Sequence, residues 1–194
     1  MKLNKSLSFN ILLALLVASF ILFLSEKGFL KRLEQESLDL SFWIRGPCAP
    51  QTPIVIIEIT DSDITAIGRW PWKRSWHAAM TEALSGLGAK YIYFDIIFSE
   101  ASNDEDDGLL EGAIKKAKNV YLPFVFPEKS LRIQDAFLPI KRFFSYLKGT
   151  GTINIYPDSD GTFRRIPLLF PTKQEIYPHI ALKIAMDYSN MAIK

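Results

Sequence analysis

The chain has 194 residues, of which 48% are hydrophobic, and a formal net charge of +2. This length suits one globular domain and an anchor, and a nearly neutral chain lacks the basic face that nucleic-acid binding needs, so no nucleic-acid partner is predicted. The lone cysteine, Cys48, excludes a disulfide within the chain.

Residues 7–24 contain no charged side chain, and an apolar stretch of about 18 residues can cross the hydrocarbon core of a membrane as a helix. Lys2 and Lys5 precede the stretch, and an excess of cations on one flank predicts that this flank stays in the cytoplasm. We therefore predict an uncleaved single-pass anchor in the inner (cell) membrane, with residues 1–6 cytoplasmic and the domain outside. A cleaved signal peptide is the alternative, but the stretch ends without the small residues that cleavage needs.

Residues 25–52 are predicted to connect the anchor to a globular domain of residues 53–194. Between residues 26 and 45, apolar side chains recur at nearly helical spacing among charged ones, which predicts an amphipathic helix. Gly46 and Pro47 end it, because proline cannot continue a helix. The apolar stripe would pack on the domain or on a second copy of itself, in which case the chain is a homodimer. Whichever way it packs, the segment is either a passive stalk or a lever that transmits movement.

The globular part alternates between apolar runs and helical patterns, which predicts a parallel sheet with helical crossovers. Residues 54–59 are β-branched and almost continuously apolar, as in a strand buried on both faces. Residues 151–156 and 163–170 flank an aspartate-rich turn and predict an antiparallel hairpin. The fold class is therefore α/β, a mainly parallel sheet flanked by helices with an added antiparallel hairpin, preceded by a transmembrane helix. The predicted parallel strands are residues 54–59, 91–97 and 119–126, and the predicted helices are residues 75–87, 108–118, 139–147 and 180–191.

Charged and aromatic side chains are predicted to gather at one edge of this sheet. Asp61 and Asp95 come at or just after the ends of two consecutive strands, and parallel sheets bind their ligands outside such ends. The loop between the two strands brings arginines and tryptophans to the same edge. The candidate ligand-binding or switch site consists of Asp61, Asp63, Arg69, Trp70, Trp72, Arg74, Asp95 and Glu100.

Three interpretations of this site are open. The acids can bind a divalent cation, or the arginines can hold a carboxylate or phosphate ligand through paired hydrogen bonds. The acids and arginines can also simply pair with one another, which is the commonest meaning of such a network. A metal-dependent hydrolase at Asp61 and Asp95 is the enzymatic alternative.

No other stretch carries a catalytic motif. The sequence has no nucleophile elbow, phosphate-binding loop or dinucleotide fingerprint, and neither His77 nor His179 has partners at zinc-ligand spacing, so no catalytic residue, metal or cofactor is predicted. Residues 157–161 begin like a calcium loop but lack the later bidentate acid, which predicts a turn. The acids Asp104, Asp106 and Asp107 are predicted to solvate a loop or to cap a helix.

Several stretches together resemble the CHASE domain of type two, an extracytoplasmic sensory domain of bacterial signalling receptors. The most specific are Gly68-Arg-Trp-Pro-Trp72 and Phe94-Asp-Ile-Ile-Phe98, and residues 38–46, 88–100, 151–161 and 164–168 also fit. The resemblance covers nearly everything after the anchor. It implies a receptor input domain that is not an enzyme and that senses an undefined small-molecule or peptide ligand.

In that family the sensor is usually followed by further membrane helices and a cytoplasmic output domain, such as a nucleotide cyclase or a kinase. Neither is found in this sequence before Lys194. The expected protein is therefore a truncated or isolated sensor, and a membrane-tethered interaction subunit is the remaining alternative.

Overall fold

Two helices form the N-terminal unit of the chain, Met1–Glu58. The computed structural model describes residues 5–128 and 130–191, so most of the predicted cytoplasmic segment lies outside the described residues. Helix α1, Lys5–Glu26, contains the predicted anchor. Its window Phe9–Glu26 has a mean hydropathy of 2.2 and is long and apolar enough to cross a membrane. Helix α2, Phe29–Arg45, follows Gly28, whose left-handed φ of 72° interrupts the helical path.

A three-stranded parallel sheet organises the second unit, Ile59–Lys194. Its strands lie side by side in chain order, with Ile92 opposite Val120 and Tyr121 opposite Gly149. A helix precedes or follows each strand, so the predicted α/β class and the predicted parallel sheet are confirmed. The strands are β1 (Ile92–Tyr93), β2 (Val120–Phe124) and β3 (Gly149–Thr152), and the helices are α3 (Asp61–Ile67), α4 (Arg74–Gly86), α5 (Asp104–Ala117), α6 (Lys141–Phe144) and α7 (Ile180–Tyr188).

Helices cover both faces of this sheet. Successive side chains of a strand point to opposite faces, and at β2 both sets contact a helix. On one face, Val120 and Leu122 join a core cluster with Leu110 and Ile114 of α5. On the other face, the hydroxyl of Tyr121 donates a hydrogen bond to Asp187 of α7. The sheet is therefore buried on both sides at β2, whose five residues are all buried.

Residues 54–59 do not form the predicted strand. Residues 53–60 lie in neither helix nor strand, and the side chains of Ile54, Val55, Ile56, Ile57 and Ile59 are all exposed. A β-branched run favours extended backbone, but a strand also needs a neighbouring strand with which to exchange hydrogen bonds. The composition of residues 54–59 favours an extended backbone but does not supply a neighbouring strand for it to pair with.

The antiparallel pair exists but lies elsewhere than predicted. Strand β4, Leu169–Pro171, pairs with β5, Ile176–Pro178, while residues 149–152 join the parallel sheet as β3. The predicted turn at residues 157–161 is confirmed, since the Asp158 amide donates to the Thr162 carbonyl and the Gly161 amide to the Asp158 carbonyl. Arg164 then pairs with carboxylates of this turn, so the aspartates there serve an ion pair instead of a hairpin.

Candidate functional site

Arg74, one of the residues of the predicted site, is buried. It begins α4, and its guanidinium donates hydrogen bonds to the carboxylate of Asp107 and to the backbone carbonyl of Glu100. The side chains of Arg74 and Asp107 are only 9% and 3% exposed. The guanidinium carbon lies 5.3 Å from the ring centre of Phe98 and 5.5 Å from that of Phe143. Arg74 is thus held by an ion pair and two aromatic rings, and its charge faces the interior.

The start of α5 places Asp107 for this contact. Asn103 caps the helix, its side-chain oxygen accepting a hydrogen bond from the Asp106 amide at 2.8 Å. The second carboxylate oxygen of Asp107 accepts a hydrogen bond from the Ser102 amide at 3.1 Å. Both oxygens of Asp107 are therefore paired, as a buried carboxylate requires.

The tryptophans of the predicted site lie in the loop of residues 68–73, directly before α4, which we call the tryptophan loop. The indole rings of Trp70 and Trp72 meet edge to face at 5.8 Å, and the Trp72 indole N–H donates to the Gly68 carbonyl at 2.8 Å. Trp70 also contacts the ring of His77, one turn into α4, at 5.8 Å. Trp70 nevertheless keeps 42% of its surface exposed, and Arg69 beside it is exposed too. The loop therefore presents a cation and an indole face to solvent.

His77 is buried beneath this loop, and neither of its ring nitrogens has a partner among the described residues with the geometry of a full hydrogen bond. Its ring packs against Phe94 at 5.9 Å and Phe98 at 5.3 Å. Burial lowers the pKa of His77, against the opposing effect of the nearby Lys73 backbone carbonyl, and the positive charge of Arg74 acts in the same direction as burial. The imidazole is therefore neutral near pH 7.

Of the four predicted acids, Glu100 contacts a predicted arginine, through its backbone carbonyl, and the carboxylates of the other three do not. Asp61 and Asp63 lie in the first turn of α3, and Asp63 forms a capping box with Thr60, whose hydroxyl lowers the pKa of the Asp63 carboxyl. Asp95 accepts a hydrogen bond from the Tyr93 hydroxyl at 2.9 Å. Within residues 5–128 and 130–191, neither Asp61 nor Asp95 makes a hydrogen bond or ion pair with an arginine. The expectation that Asp61 follows a strand was wrong because residues 54–59 are unpaired.

A surface depression of about 300 Å³ lies next to the buried pair. Arg142 at its border pairs with Asp104 at 2.9 Å and with Glu111 at 2.8 Å. No group of three histidine, cysteine or acidic residues in the described part of the chain could hold a metal ion. The depression is lined by Ala101, Ser102, Asp104, Asp107, Ile140 and Arg142.

Sequence reasoning missed Asp107 as the partner of Arg74 and assigned it to a solvated loop or a cap. The signal was present, since Asp107 lies three and seven residues before Leu110 and Ile114, both fully buried. Residues at this spacing share one face of a helix. Asp107 is therefore on the buried stripe of α5, whereas its neighbours Asp104 and Glu105 are exposed.

Both histidines of the chain predict a loss of stability on mild acidification. His179 caps α7 by accepting a hydrogen bond from the Ala181 amide, and burial lowers its pKa as it does that of His77. The unfolded chain binds protons below about pH 6.5 while the folded histidines do not, so stability should fall as pH drops from 7.5 to 5.5. Thermal unfolding of the full chain at both pH values measures this.

The matched variant for that experiment is His77→Phe with His179→Asn, since phenylalanine suits the aromatic environment and asparagine can cap a helix. It should flatten the dependence between pH 7.5 and 5.5. Asp63 and Asp187 also have lowered pKa values in the folded chain, by hydrogen bonds at Asp63, and at Asp187 by hydrogen bonds and lysine charges that together outweigh the raising effect of burial. These carboxyls titrate at lower pH and should still destabilise the variant below about pH 4. An unchanged slope in the variant would contradict the assignment to histidine.

Comparison with known protein families gives a match that covers nearly the whole chain. The family model of the CHASE2 domain matches residues 12–194, a range that includes most of α1 and the entire second unit. Domains of this family are sensory and extracytoplasmic. No curated protein and no solved structure is significantly similar to the chain.

Proposed function

The chain belongs to the CHASE2 domain family, and from this premise we propose that it is the membrane-anchored, extracytoplasmic input domain of a bacterial signalling receptor. The match over residues 12–194 carries the proposal, because it confirms the predicted resemblance and joins the apolar helix and the α/β unit in one family pattern. The family is sensory and non-catalytic, which supports a binding role over the metal-dependent hydrolase.

Helix α1 supports the membrane anchor. Its window Phe9–Glu26 has no buried residue, as expected for a helix whose side chains contact lipid. Lys2 and Lys5 on its N-terminal flank support a cytoplasmic N-terminus, which agrees with a domain on the outer side. The inner membrane of a bacterium is the location we propose.

Fusion reporters test this orientation. Alkaline phosphatase joined after Lys194 and expressed in a bacterial host should be active, because it folds only outside the cytoplasm, and green fluorescent protein at the same position should stay dark. Removing residues 7–24 is the matched control and should reverse both readouts. A fluorescent and phosphatase-negative pair from the full chain would exclude the proposed topology.

For the sensing site, we propose the exposed part of the predicted constellation around the tryptophan loop. Arg69 is exposed, makes no hydrogen bond or ion pair among the described residues, and adjoins the half-exposed indole of Trp70. Arg74 is buried and pairs with Asp107 and Glu100, so we assign ligand binding to Arg69 and a structural role in holding the loop to Arg74. A small molecule or peptide with a carboxylate or phosphate beside an apolar group suits an arginine next to an indole.

A ligand screen tests this site even though the stimulus is unidentified. Carboxylates and phosphate esters with apolar groups are added to the purified full chain, and compounds that raise its melting temperature are repeated on Arg69→Gln. The variant should lose the shift, whereas Lys173→Gln, which removes an exposed cation from the β4–β5 turn, should retain it. Compounds that stabilise both variants equally would place binding elsewhere.

Helix α2 supports a homodimer as the quaternary form. Its apolar side chains Phe29, Leu33 and Leu40 are exposed and lie within one face, at separations of four and seven residues. Leu33→Cys in a Cys48→Ser background leaves one thiol in the chain. Oxidation in membranes should yield a disulfide-linked dimer, and a chain that stays monomeric there would exclude pairing through this face.

A further inference from the structure

Lysines precede all three strands of the parallel sheet. Lys90 lies two residues before β1, Lys118 two residues before β2, and Lys148 directly before β3. The pairing of Ile92 with Val120 places Lys90 and Lys118 at matching positions of neighbouring strands. The amide of Lys148 donates to the carbonyl of Val120 at 2.8 Å, which brings it to the same end of the sheet. We call this end the lysine rim.

The helices that end at the lysine rim add further cations. Lys115 and Lys116 lie in the last turn of α5. Lys183 lies on α7, and its ammonium donates to the two carboxylate oxygens of Asp187 at 2.8 and 2.9 Å, which places it near Tyr121 of β2. The acids of the same end are Asp187 and Glu82, each already paired with a lysine. No ion pair of the described residues involves Lys118, and Lys148 makes no direct pair there either, although its charge helps to lower the pKa of Asp187. The rim thus carries a clear excess of positive charge.

Exposed apolar side chains lie among these lysines. Leu87, between α4 and β1, is 84% exposed, and Met191, just after α7, is 65% exposed. Tyr188 at the end of α7 is half-exposed, and the ammonium nitrogen of Lys90 lies 3.9 Å from its ring centre. Apolar side chains and a tyrosine among lysines suit the interface of a lipid bilayer. There the ammonium groups of the lysines pair with lipid phosphates, and the apolar side chains insert beneath the headgroups.

We propose that the lysine rim docks on the anionic phospholipid headgroups of the membrane in which the chain is anchored. The opposite end of the sheet carries Asp95, Glu100 and the acidic first turn of α5 together with Arg69, Arg74 and Arg142, so its charges are mixed. The excess of positive charge at the lysine rim would therefore orient the domain at such a surface. An acidic protein would also be attracted to the lysines, and native membrane vesicles separate that outcome from lipid binding. The inference rests on the proposed anchor, because α1 keeps the domain close to the lipid.

The test places one fluorophore at the rim of the full chain. Leu87→Cys in a Cys48→Ser background is labelled with the environment-sensitive dye NBD and reconstituted in nanodiscs of phosphatidylcholine, alone or with one part in three of phosphatidylglycerol. Quenching by acrylamide, which is uncharged, reports whether position 87 is open to water. The matched control carries the label at Glu105→Cys, an exposed position at the opposite end of α5.

With phosphatidylglycerol, the label at position 87 should shift to the blue and be protected from acrylamide, and high salt should reverse both changes. A second variant combines Lys118→Asn, which tolerates the left-handed backbone there, with Lys148→Gln. Each lysine near an anionic surface favours binding by about fivefold, so the ratio of docked to undocked domain should fall by about 25-fold in this variant. The label at position 105 should not respond.

Equal quenching at position 87 in both lipids would overturn the proposal. Protection at both 87 and 105 would also overturn it, since the domain would then adhere without orientation. Protection that occurs in native membrane vesicles but not in protein-free nanodiscs would replace the lipid with an acidic protein partner. Co-elution of the chain with nanodiscs reports the anchor separately, so a failure of the proposed membrane anchor is distinguishable from a failure of the rim to dock.

Discussion

Replacing Arg74 with alanine is expected to lower the free energy of unfolding by about 3–5 kcal/mol, the typical effect of removing one member of a buried ion pair. The variant leaves the Asp107 carboxylate uncompensated in a site where its side chain is only 3% exposed. It also removes the contacts of the guanidinium with Phe98 and Phe143. Urea denaturation of the full chain, followed by the fluorescence of the adjacent tryptophans, measures the loss.

Two controls separate this effect from simple truncation. The double variant Arg74→Met with Asp107→Leu removes both charges and should recover most of the loss, because apolar residues of similar size need no partner. Arg142→Ala breaks pairs that are far more exposed and should cost about 1 kcal/mol or less. If Arg74→Ala were as mild as Arg142→Ala, the buried pair would not hold the loop and α5 together.

Gly151→Ala is expected to cost about 1–3 kcal/mol, the usual range for overpacking. A β-carbon at this position of β3 would lie 2.8 Å from the Cα of Ile180 and 2.9 Å from the carbonyl oxygen of Pro178. Both are backbone atoms, so the start of α7 would have to move away from the sheet. Thermal unfolding compares the variant with the unmodified chain.

Gly112→Ala is the matched control, since it makes the same substitution within α5 where no atom lies within 4 Å of the new β-carbon. It should raise stability by about 1 kcal/mol, because alanine favours the helix over glycine. The two variants are therefore expected to change stability in opposite directions. A neutral Gly151→Ala would mean that α7 does not depend on close contact with β3.

Periodic segments of this domain can be predicted well from sequence. The pattern predicts a helix at residues 75–87, where α4 forms Arg74–Gly86, and α7 begins at the predicted Ile180. The apolar stripe of a helix can be recognised within one segment, because it depends only on the spacing of nearby residues and on one buried face. Helix α5 begins four residues before its predicted start because Asn103 caps it and acids favour the first turn of a helix.

Pairing between distant segments cannot be predicted from local pattern. The pattern places residues 151–156 in a hairpin with residues 163–170, but Gly149–Thr152 pairs with β2, some 28 residues earlier in the chain. The true hairpin turns through residues 172–175, which contain no glycine, asparagine or proline. The partner of Arg74 escapes prediction for the same reason, since 33 residues separate it from Asp107. The roles of Asp61, Asp63, Arg69, Asp95 and Glu100 remain predictions.

Helix α4 spans the domain from the tryptophan loop, where it begins at Arg74, to the lysine rim, where it ends at Gly86. Its 13 residues form a rod about 20 Å long, and α5 packs alongside it in the same core cluster. If the helix moves as a rigid rod, a tilt of about 5° about its first turn displaces its last turn by about 2 Å. A ligand that shifted the tryptophan loop and tilted α4 would therefore also displace the lysine rim at the other end of the helix.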